Sequence, residues 1–270
     1  MELYDAIFYR NSTKKFKFQK LNDNYLDQID EICKDIRPLD QDLNIKANLI
    51  RRGHLIELTV GRGKIIKAPH YIVITSNLGE NHLTNVGFIG EEVVLKITAL
   101  GFGSCWVESK LKREQLFEFI DFDEENEEDD EKTKKEKMEH PIAIIALGYP
   151  DNEIGLFRKK EDKIDRKEIK DISKDISSKF ENVIEAIRLT PSIKNLQPWI
   201  VYEKEDEILF YENRPKRKNR KDSKIGMGAS IKHFEIACDK HHIPIEFTNE
   251  IEKRKLGKLF NRKIKLNKQE

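Results

Sequence analysis

Two polar segments that lie far apart in the 270-residue chain carry residue types that could bind a ligand. The first is residues 10–14, Arg-Asn-Ser-Thr-Lys, which follows a helical pattern over Leu3–Tyr9. Arginine offers a planar fork of donors for phosphate oxygens, and serine offers a neutral donor. Lysine offers a point charge that could also stabilise negative charge on the ring of a bound ligand. The segment therefore predicts a phosphate site, with an ordinary solvated basic helix end as the alternative.

The second polar segment is residues 189–199, in which Pro191 and Pro198 bracket a short polar stretch. Each proline restricts its own backbone and that of the preceding residue, so the stretch between them should have a fixed shape. A helical pattern precedes it and strand-forming residues follow it, which would place Ser192 and Asn195 beside a flat ligand. The alternative is a capped turn in which Ser192 or Asn195 bonds local backbone.

The sequence from Pro191 to Trp199 resembles the Pro-Ser-x-x-Asn-x-Gln-Pro-Trp signature of the FMN-dependent nitroreductase family. Residues 10–14 resemble that family's Arg-x-Ser-x-Arg/Lys segment, residues 99–108 its Leu-Gly-x-x-Ser-x-x-x-Glu loop, and residues 146–150 its late core strand. Here the Pro-Ser segment comes after the core strand instead of soon after the first segment. That order resembles the single-chain branch of the family, the putative TM nitroreductases, in which two half-subunits are fused.

This resemblance implies an α+β, nitroreductase-like fold with central, mainly antiparallel sheets flanked by helices. Half one would be residues 1–160, with a charged insertion at 121–140, and half two residues 161–270. Residues 225–230 echo residues 86–91, which supports an internal pseudo-repeat. The fused halves would form a monomer with an internal pseudo-twofold and bind one FMN.

The same resemblance assigns cofactor contacts residue by residue. The main-chain amide of Glu108 would donate to flavin N5, and no catalytic side chain is needed because the chemistry belongs to the flavin. Ile193 stands where a second small polar residue is common in the family. The implied cofactor-binding residues are Arg10, Ser12, Lys14, Lys64, Trp106, Val107, Glu108, Ser109, Arg158, Lys160, Pro191, Ser192 and Asn195.

The function that the resemblance implies is hydride transfer from NAD(P)H through flavin N5 to a nitroaromatic or quinone-type acceptor. The alternative is a protein that stores or sequesters FMN with little turnover. Both functions need the same FMN contacts, so the sequence leaves them open, and oxidation of NAD(P)H by the flavin-loaded protein would separate them.

Composition narrows the class of partner. The chain has 50 Lys and Arg against 49 Asp and Glu, so a preference for nucleic acid is not indicated. The first residues lack a basic or apolar leader and no long apolar run follows, so we expect a cytoplasmic protein without a membrane span. Cys33, Cys105 and Cys238 are widely spaced and suit core packing, and the spacing of the histidines predicts no metal site.

The remaining patterns predict the elements that must position these residues. Helices are expected at 22–36, 85–100, 161–174, 180–188 and 231–240. Strands are expected at 49–60, 71–75, 141–147, 199–202, 208–211 and 243–247. The other segments should be a hairpin turn at 61–64, a mobile insertion at 121–140, a basic loop at 214–221 and a mostly exposed tail from 253.

Overall fold

The computed structural model of the chain describes residues 1–60, 65–107, 111–123, 130–152, 156–159, 162–252, 255 and 257–267. Its α-helices are α1 (Leu3–Tyr9), α2 (Asp23–Lys34), α3 (Gly53–Val60), α4 (His82–Ala99), α5 (Glu131–Lys137), α6 (Ile169–Ile172), α7 (Glu181–Arg188) and α8 (Arg220–Lys240). Its strands are β1 (Ile45–Ile50), β2 (His70–Ser76), β3 (Gly103–Val107), β4 (His140–Gly148), β5 (Ser173–Lys174), β6 (Trp199–Lys204), β7 (Glu207–Asn213), β8 (Ile245–Thr248) and β9 (Lys258–Leu266).

The strands form one sheet from each half of the sequence. The first has the order β1-β2-β4-β3 with every neighbouring pair antiparallel. The second has the order β5-β6-β7-β9-β8, in which β5 is parallel to β6 and the other pairs are antiparallel. Every residue of β2 is buried, as expected for the predicted central strand. The predicted α+β class with mainly antiparallel sheets is confirmed.

Helix α4 forms where the apolar spacing predicts it and supplies much of the core. Val86, Ile89, Val93 and Ile97 recur at intervals of three and four residues, and all are buried. The helix ends just before Gly101, whose φ of 87° is a left-handed conformation that glycine adopts without strain. The apolar side chains of α4 and α8 belong to one continuous core that extends to both sheets.

Helices α4 and α8 cross in close contact through glycines. A Cβ atom on Gly87 would lie 1.9 Å from the Ile225 carbonyl oxygen, and one on Gly228 would lie 1.8 Å from the Thr84 carbonyl oxygen. Only glycine permits backbones to approach this closely. The two segments that echo each other in sequence therefore contact each other at the centre of the molecule.

At three places the secondary structure differs from the one that the sequence predicts. Residues 53–60 form helix α3 instead of continuing a strand, because a short apolar run suits either element and Ile56 packs on the sheet from a helix. Helix α8 begins at Arg220, so residues 225–230 lie inside it and the basic loop is short. The tail contributes β9, where Arg262 and Lys263 are buried against acidic partners.

The linker helix predicted at 161–174 is also wrong. In the described part only α6 is helical, and β5 follows it directly. The main chain before α6 is bonded to another segment, because Lys167 N donates to Gln197 Oε1 at 2.7 Å and the Asp165 carbonyl accepts from Asn195 Nδ2 at 3.0 Å. Backbone groups engaged in tertiary bonds cannot also form a helix ladder.

The charged insertion is partly ordered by a local helix cap and by an ion pair with β1. Asp130 caps α5 by accepting a hydrogen bond from Thr133 N at 2.8 Å, and Asp123 forms an ion pair with Lys46 at 2.7 Å. The predicted mobile insertion at 121–140 is therefore wrong for residues 131–137, which form helix α5. The predicted hairpin turn at 61–64 lies outside the described residues. Within the described chain, no helix is both long and apolar enough to cross a membrane.

Candidate functional site

The predicted phosphate segment lies along the edge of the first sheet. Ser12 pairs with Ser104 of β3, and Thr13 N donates to the Ser104 carbonyl at 3.0 Å. Two residues earlier, Arg10 pairs with Phe157. The segment that leaves α1 is thus held between β3 and the chain that follows β4, which fixes the direction of its side chains.

Arg10 is a buried guanidinium with an unfilled donor. Its side chain is 4% exposed. One terminal nitrogen donates to Ser12 Oγ at 3.2 Å, and Nε lies 3.9 Å from Glu91 Oε1, too far for a hydrogen bond. Nε has no hydrogen-bond partner among the described residues. Because buried donors are nearly always bonded, this one marks a place for an acceptor.

Glu91 connects Arg10 to both central helices through a buried polar network. Trp106 Nε1 donates to Glu91 Oε2 at 3.0 Å, and His233 Nε2 lies 3.0 Å from Glu91 Oε1. His233 Nδ1 lies 2.8 Å from the Ala186 carbonyl, which can only accept, so Nδ1 carries a hydrogen. The contact of Nε2 with the carboxylate thus joins α8 to α4. The side chains of Glu91 and His233 are both fully buried.

Arg158 lies in the electrostatic field of Arg10 but is bonded to backbone. Its Nε donates to the Phe8 carbonyl at 3.0 Å, and a terminal nitrogen donates to the Ile7 carbonyl at 3.0 Å. These are carbonyls at the end of α1. Burial and the charge of Arg10 lower the pKa of Arg158 to about 10. The predicted phosphate contact of Arg158 stays a prediction, since its described bonds are those of a helix cap.

The segment between the two prolines, residues 191–198, is here named the corner. Ser192 Oγ accepts from Gln197 N at 2.9 Å. Asn195 Nδ2 donates to the carbonyl and to the carboxylate of Asp165, both at 3.0 Å, and Asn195 Oδ1 accepts from Arg166 at 3.0 Å and from Gln197 Nε2 at 3.1 Å. Ser192 thus bonds local backbone, as in the capped-turn alternative, whereas Asn195 bonds mainly to the connection before α6, far away in sequence.

The corner is a strained turn that rests on α8. Lys194, Asn195 and Gln197 have φ values of 57°, 53° and 44°, a conformation that non-glycine residues seldom adopt. A Cβ on Gly226 of α8 would lie 3.3 Å from the Ser192 Cβ. Pro191 is buried and Ser192 is half-buried. A ligand contact by Pro191, Ser192 or Asn195 stays a prediction.

Arg166 is a candidate site residue that the sequence did not reveal. It lies in the extended connection before α6, and one terminal nitrogen donates to the Asp165 carbonyl at 2.9 Å as well as to Asn195. Its Nε is buried and has no described partner. Burial and the charge of Arg10 lower the pKa of Arg166 to about 10. No local pattern distinguishes this arginine within a charged linker.

Arg188 completes a group that we name the arginine cluster, formed by Arg10, Arg158, Arg166 and Arg188. Arg188 is the member that has a carboxylate partner, because it makes two 2.6 Å bonds to Glu185. Its charge still lowers the pKa of Arg158 and Arg166. Like charges in a buried setting repel, so the cluster favours an added anion.

The other predicted site residues divide into those described and those outside the described chain. Lys14 is exposed, Trp106 is half-buried and Val107 is buried. Lys64, Glu108, Ser109 and Lys160 lie outside the described residues. Cys105 is buried and packs as expected, and burial raises the pKa of its thiol, although Arg10 and Lys14 act in the opposite direction. Within the described ranges, no group of His, Cys, Asp and Glu is arranged to hold a metal ion.

A cavity of about 560 Å³ reaches the arginine cluster from the side of α1 and α7. Arg158 and Arg188 contribute to its wall. Asp5, Asp162 and Glu185 line it too, so its charge is mixed. The cavity therefore gives access to the cluster without selecting an anion by itself.

Comparison with known proteins identifies a family for this arrangement. A family model described as putative TM nitroreductase matches residues 2–238. The chain is similar to the crystal structure of a putative nitroreductase from Thermotoga maritima, with 19% identity and a TM-score of 0.61 over 98% of this chain and 93% of that one. At this identity the similarity shows the fold.

More distant similarities extend to shorter chains. One is an FMN-dependent nitroreductase from Clostridium difficile, with 17% identity and a TM-score of 0.42 over 59% of this chain and 91% of that one. Another is a nitroreductase with bound FMN from Bacteroides fragilis, with 15% identity and a TM-score of 0.42 over 61% and 96%. Among curated proteins, none matches the chain.

Proposed function

Because the chain belongs to the putative TM nitroreductase family, we propose that it is an FMN-dependent oxidoreductase. In this proposal it transfers hydride from NAD(P)H through flavin N5 to a nitroaromatic or quinone-type acceptor. The observation that supports the cofactor most directly is the pair of buried Nε–H donors on Arg10 and Arg166 that lack described acceptors. Phosphate oxygens are acceptors of the geometry that guanidinium groups bind best.

The residues present fit a phosphate-bearing flavin. Arg10 pairs with Phe157 and Ser12 with Ser104 of β3, and a hydrogen bond joins their side chains, so both can face one anion. Arg166 adds a second guanidinium from the connection between the sheets. FMN would supply the hydride-accepting ring, while the protein binds and orients it.

Several residues of this chain would hold the ring side of the site. Trp106 is the penultimate residue of β3, and its indole is held by the hydrogen bond to Glu91. Val107, which follows, is buried in the apolar cluster on the other face of the sheet. This end of β3 is thus anchored on both faces of the sheet, and a rigid strand end is a suitable support for a cofactor ring.

We further propose that residues 1–160 and 161–270 act as two half-subunits that build one FMN site in a monomer. The reciprocal contacts of Gly87 with Ile225 and of Gly228 with Thr84 support a pseudo-twofold between α4 and α8. The bond between Glu91 and His233 supports a shared site, because it joins Arg10 to the second half through buried groups.

The test is anaerobic reduction of the FMN-loaded protein by NADH and by NADPH, followed through the flavin absorbance. We expect one or both nucleotides to bleach the flavin, and a nitroaromatic or quinone to restore the colour. A protein that does not bind added FMN would contradict the proposal. A protein that binds FMN yet is reduced by neither nucleotide would instead indicate the storage function.

A further inference from the structure

A run of basic residues leads into the start of α8 and forms one surface. Residues 214–224 include seven basic residues and one acid, in a chain whose net charge is only +1. Six of the seven basic side chains are exposed and the seventh, Lys224, is half-buried. We name this surface the basic patch, and its members are Arg214, Lys216, Arg217, Lys218, Arg220, Lys221 and Lys224.

The basic patch lacks carboxylate partners, unlike a later lysine of the same helix. Lys232 forms an ion pair with Glu92 at 2.8 Å. In the part of the chain that the structure describes, no Asp or Glu forms an ion pair with a member of the patch. Asp222, the one acid among residues 214–224, pairs with Lys194 at 2.9 Å instead. The positive charge of the patch is therefore not neutralised by the described residues.

Helix geometry brings members of the basic patch together. In α8, Lys224 follows Arg220 by four residues and Lys221 by three, and side chains at these spacings are neighbours on a helix surface. Arg217 begins a 3₁₀ turn that leads directly into the helix. Cations at the start of a helix oppose its dipole, and like charges side by side repel one another. This arrangement costs stability unless an anion binds, so the patch favours an anionic ligand.

The basic patch lies directly beside the corner. Asn213, the residue before the patch, donates its main-chain N–H to the Pro198 carbonyl at 2.7 Å. Asp222 accepts a hydrogen bond from Lys194 Nζ at 2.9 Å. Just beyond the patch, a Cβ on Gly226 would lie 3.3 Å from Pro198 Cδ. The corner therefore contacts the chain before, within and after the patch, and a ligand bound at the corner has the patch at its edge.

We propose that the basic patch binds the phosphates of the nucleotide donor and gives the protein a preference for NADPH over NADH. This inference rests on the proposed function, because it takes a dinucleotide as the donor. NADPH carries a 2′-phosphate that NADH lacks, and a phosphate monoester has a charge of about −1.5 to −2 near neutral pH. Arginine and lysine side chains bind such a group through charge-assisted hydrogen bonds.

A dinucleotide fits the basic patch better than a nucleic acid does. The patch borders the candidate site, which a hydride donor must reach, whereas nothing about nucleic-acid binding requires that position. Proteins that bind nucleic acid also carry a marked excess of basic residues, and this chain has 50 basic residues against 49 acidic ones. The patch is thus a local exception in a balanced chain, which suits a small ligand.

The first experiment measures kcat and KM for NADPH and for NADH with the FMN-loaded protein and a saturating quinone. The wild-type protein should prefer NADPH by about tenfold or more in kcat/KM. The triple variant Arg217→Gln/Arg220→Gln/Lys221→Gln should lose about tenfold for NADPH, mainly through KM, and at most about twofold for NADH. A tenfold loss is the combined effect expected of three exposed charge pairs.

Two variants serve as controls for the triple variant. Lys34→Gln/Lys179→Gln/Lys204→Gln removes the same charge from exposed positions on other elements and should leave the preference unchanged. Arg217→Lys/Arg220→Lys keeps the charge and should retain most of the preference. Melting curves show that each variant is folded, and the three single glutamine variants replace the triple variant if it is not. An equal loss of NADPH and NADH efficiency in the triple variant would overturn the inference.

A second measurement separates this inference from the proposed function. Adenosine 2′,5′-bisphosphate carries the 2′-phosphate without the nicotinamide, so calorimetric titration with it needs no turnover. The wild-type protein should bind it about tenfold more tightly than AMP, and the triple variant should bind the two about equally. If neither NADH nor NADPH reduces the flavin while this difference is present, the phosphate surface stands and the hydride-transfer function falls. If both nucleotides reduce the flavin equally well in both proteins, the function stands and the inference falls.

A third measurement tests a polyanion as the occupant of the basic patch. Fluorescent poly(U) RNA is titrated with the wild-type protein and with the triple variant near physiological salt. We expect weak binding that NADPH displaces, because the two ligands would share the same cations. Tight binding of poly(U) that depends on the patch and resists NADPH would make the patch a nucleic-acid surface and overturn the inference.

Discussion

The arginine cluster and the corner are both rich in polar groups, but they differ in how those groups are satisfied. In the corner, Ser192, Asn195 and Gln197 are bonded to one another or to the neighbouring connection. In the arginine cluster, Arg10 and Arg166 each retain a buried donor without a described acceptor. A completed polar network stabilises a fold, whereas an incomplete one indicates a ligand. The comparison supports the proposal that a ligand binds at the arginines and that the corner gives structural support.

A buried glutamate lies beside each region, and the two differ in the opposite sense. Glu91, next to Arg10, has Trp106 and His233 as partners. Glu212, which pairs with Trp199 beside the corner, has a carboxylate oxygen without a described partner. Donors around a buried carboxylate stabilise its charge, while burial alone favours the protonated form. We therefore expect a pH-sensitive group at Glu212.

Removing the glutamate beside the arginine cluster should have the largest effect on folding. Glu91→Ala leaves Trp106 and His233 without their buried acceptor and Arg10 without a nearby carboxylate. Breaking a buried ion pair from one side typically destabilises by about 3–5 kcal/mol. We expect a loss of that order in the free energy of unfolding, measured by urea titration.

Two variants serve as controls for this measurement. Glu91→Gln keeps an acceptor for Trp106 and should lose less than Glu91→Ala. Glu31→Ala removes an exposed carboxylate paired with Lys34 and should leave the free energy of unfolding nearly unchanged. Stability of Glu91→Ala equal to that of Glu31→Ala would mean that the buried network contributes nothing to the junction between the halves.

A smaller effect, on binding, should distinguish the arginines of the cluster. Arg10→Gln should weaken FMN binding by about 1.5–3 kcal/mol, because it removes a charge-assisted contact, and the loss should shrink as salt is raised. Arg158→Gln should instead lower the stability of the protein, since its described bonds are to the Phe8 and Ile7 carbonyls. Titration with FMN at two salt concentrations checks the first effect. An Arg158→Gln variant that loses as much FMN affinity as Arg10→Gln would place Arg158 on the phosphate.

The smallest expected effect is the pH dependence of stability beside the corner. Burial raises the pKa of Glu212 above its ordinary value of 4.5, although Ser223, Lys224 and Arg220 act in the opposite direction. The folded state therefore holds this proton more tightly than the unfolded state, and the resulting stabilisation is lost as pH rises from 4.5 through the raised pKa. Glu212→Gln should show a flatter stability profile over that range. An unchanged profile would mean that Glu212 is already ionised in the folded protein.

The sequence predicted the elements whose apolar spacing is long or unambiguous. Helices α1, α2, α4 and α7 and strands β2, β4, β6 and β7 lie where the patterns placed them, within a few residues at their ends. Helix α3 was missed because its short apolar run also suits a strand. Strand β9 was missed because the ion pairs of Arg262 with Asp40 and of Lys263 with Glu252 are tertiary. In the sequence alone, charged residues that become buried in this way cannot be distinguished from exposed ones.

For the site, the sequence supplied candidate residues by resemblance, and a ligand contact by each of them stays a prediction. Arg10, Ser12 and Ser192 were identifiable because their motif resembles a family signature. Arg166 was not, because only folding brings it to Asn195 and into the field of Arg10. Gly87 and Gly228 were seen as an echo, but their role in helix crossing depends on the distance between two backbones.

The central claim is that both halves of one chain build a single FMN site around Arg10 and Arg166. Size-exclusion chromatography with light scattering and flavin absorbance measures this directly on the FMN-loaded protein. The account predicts one FMN per chain and the mass of a single chain. Two FMN per chain, or one site formed only in a dimer of chains, would contradict it.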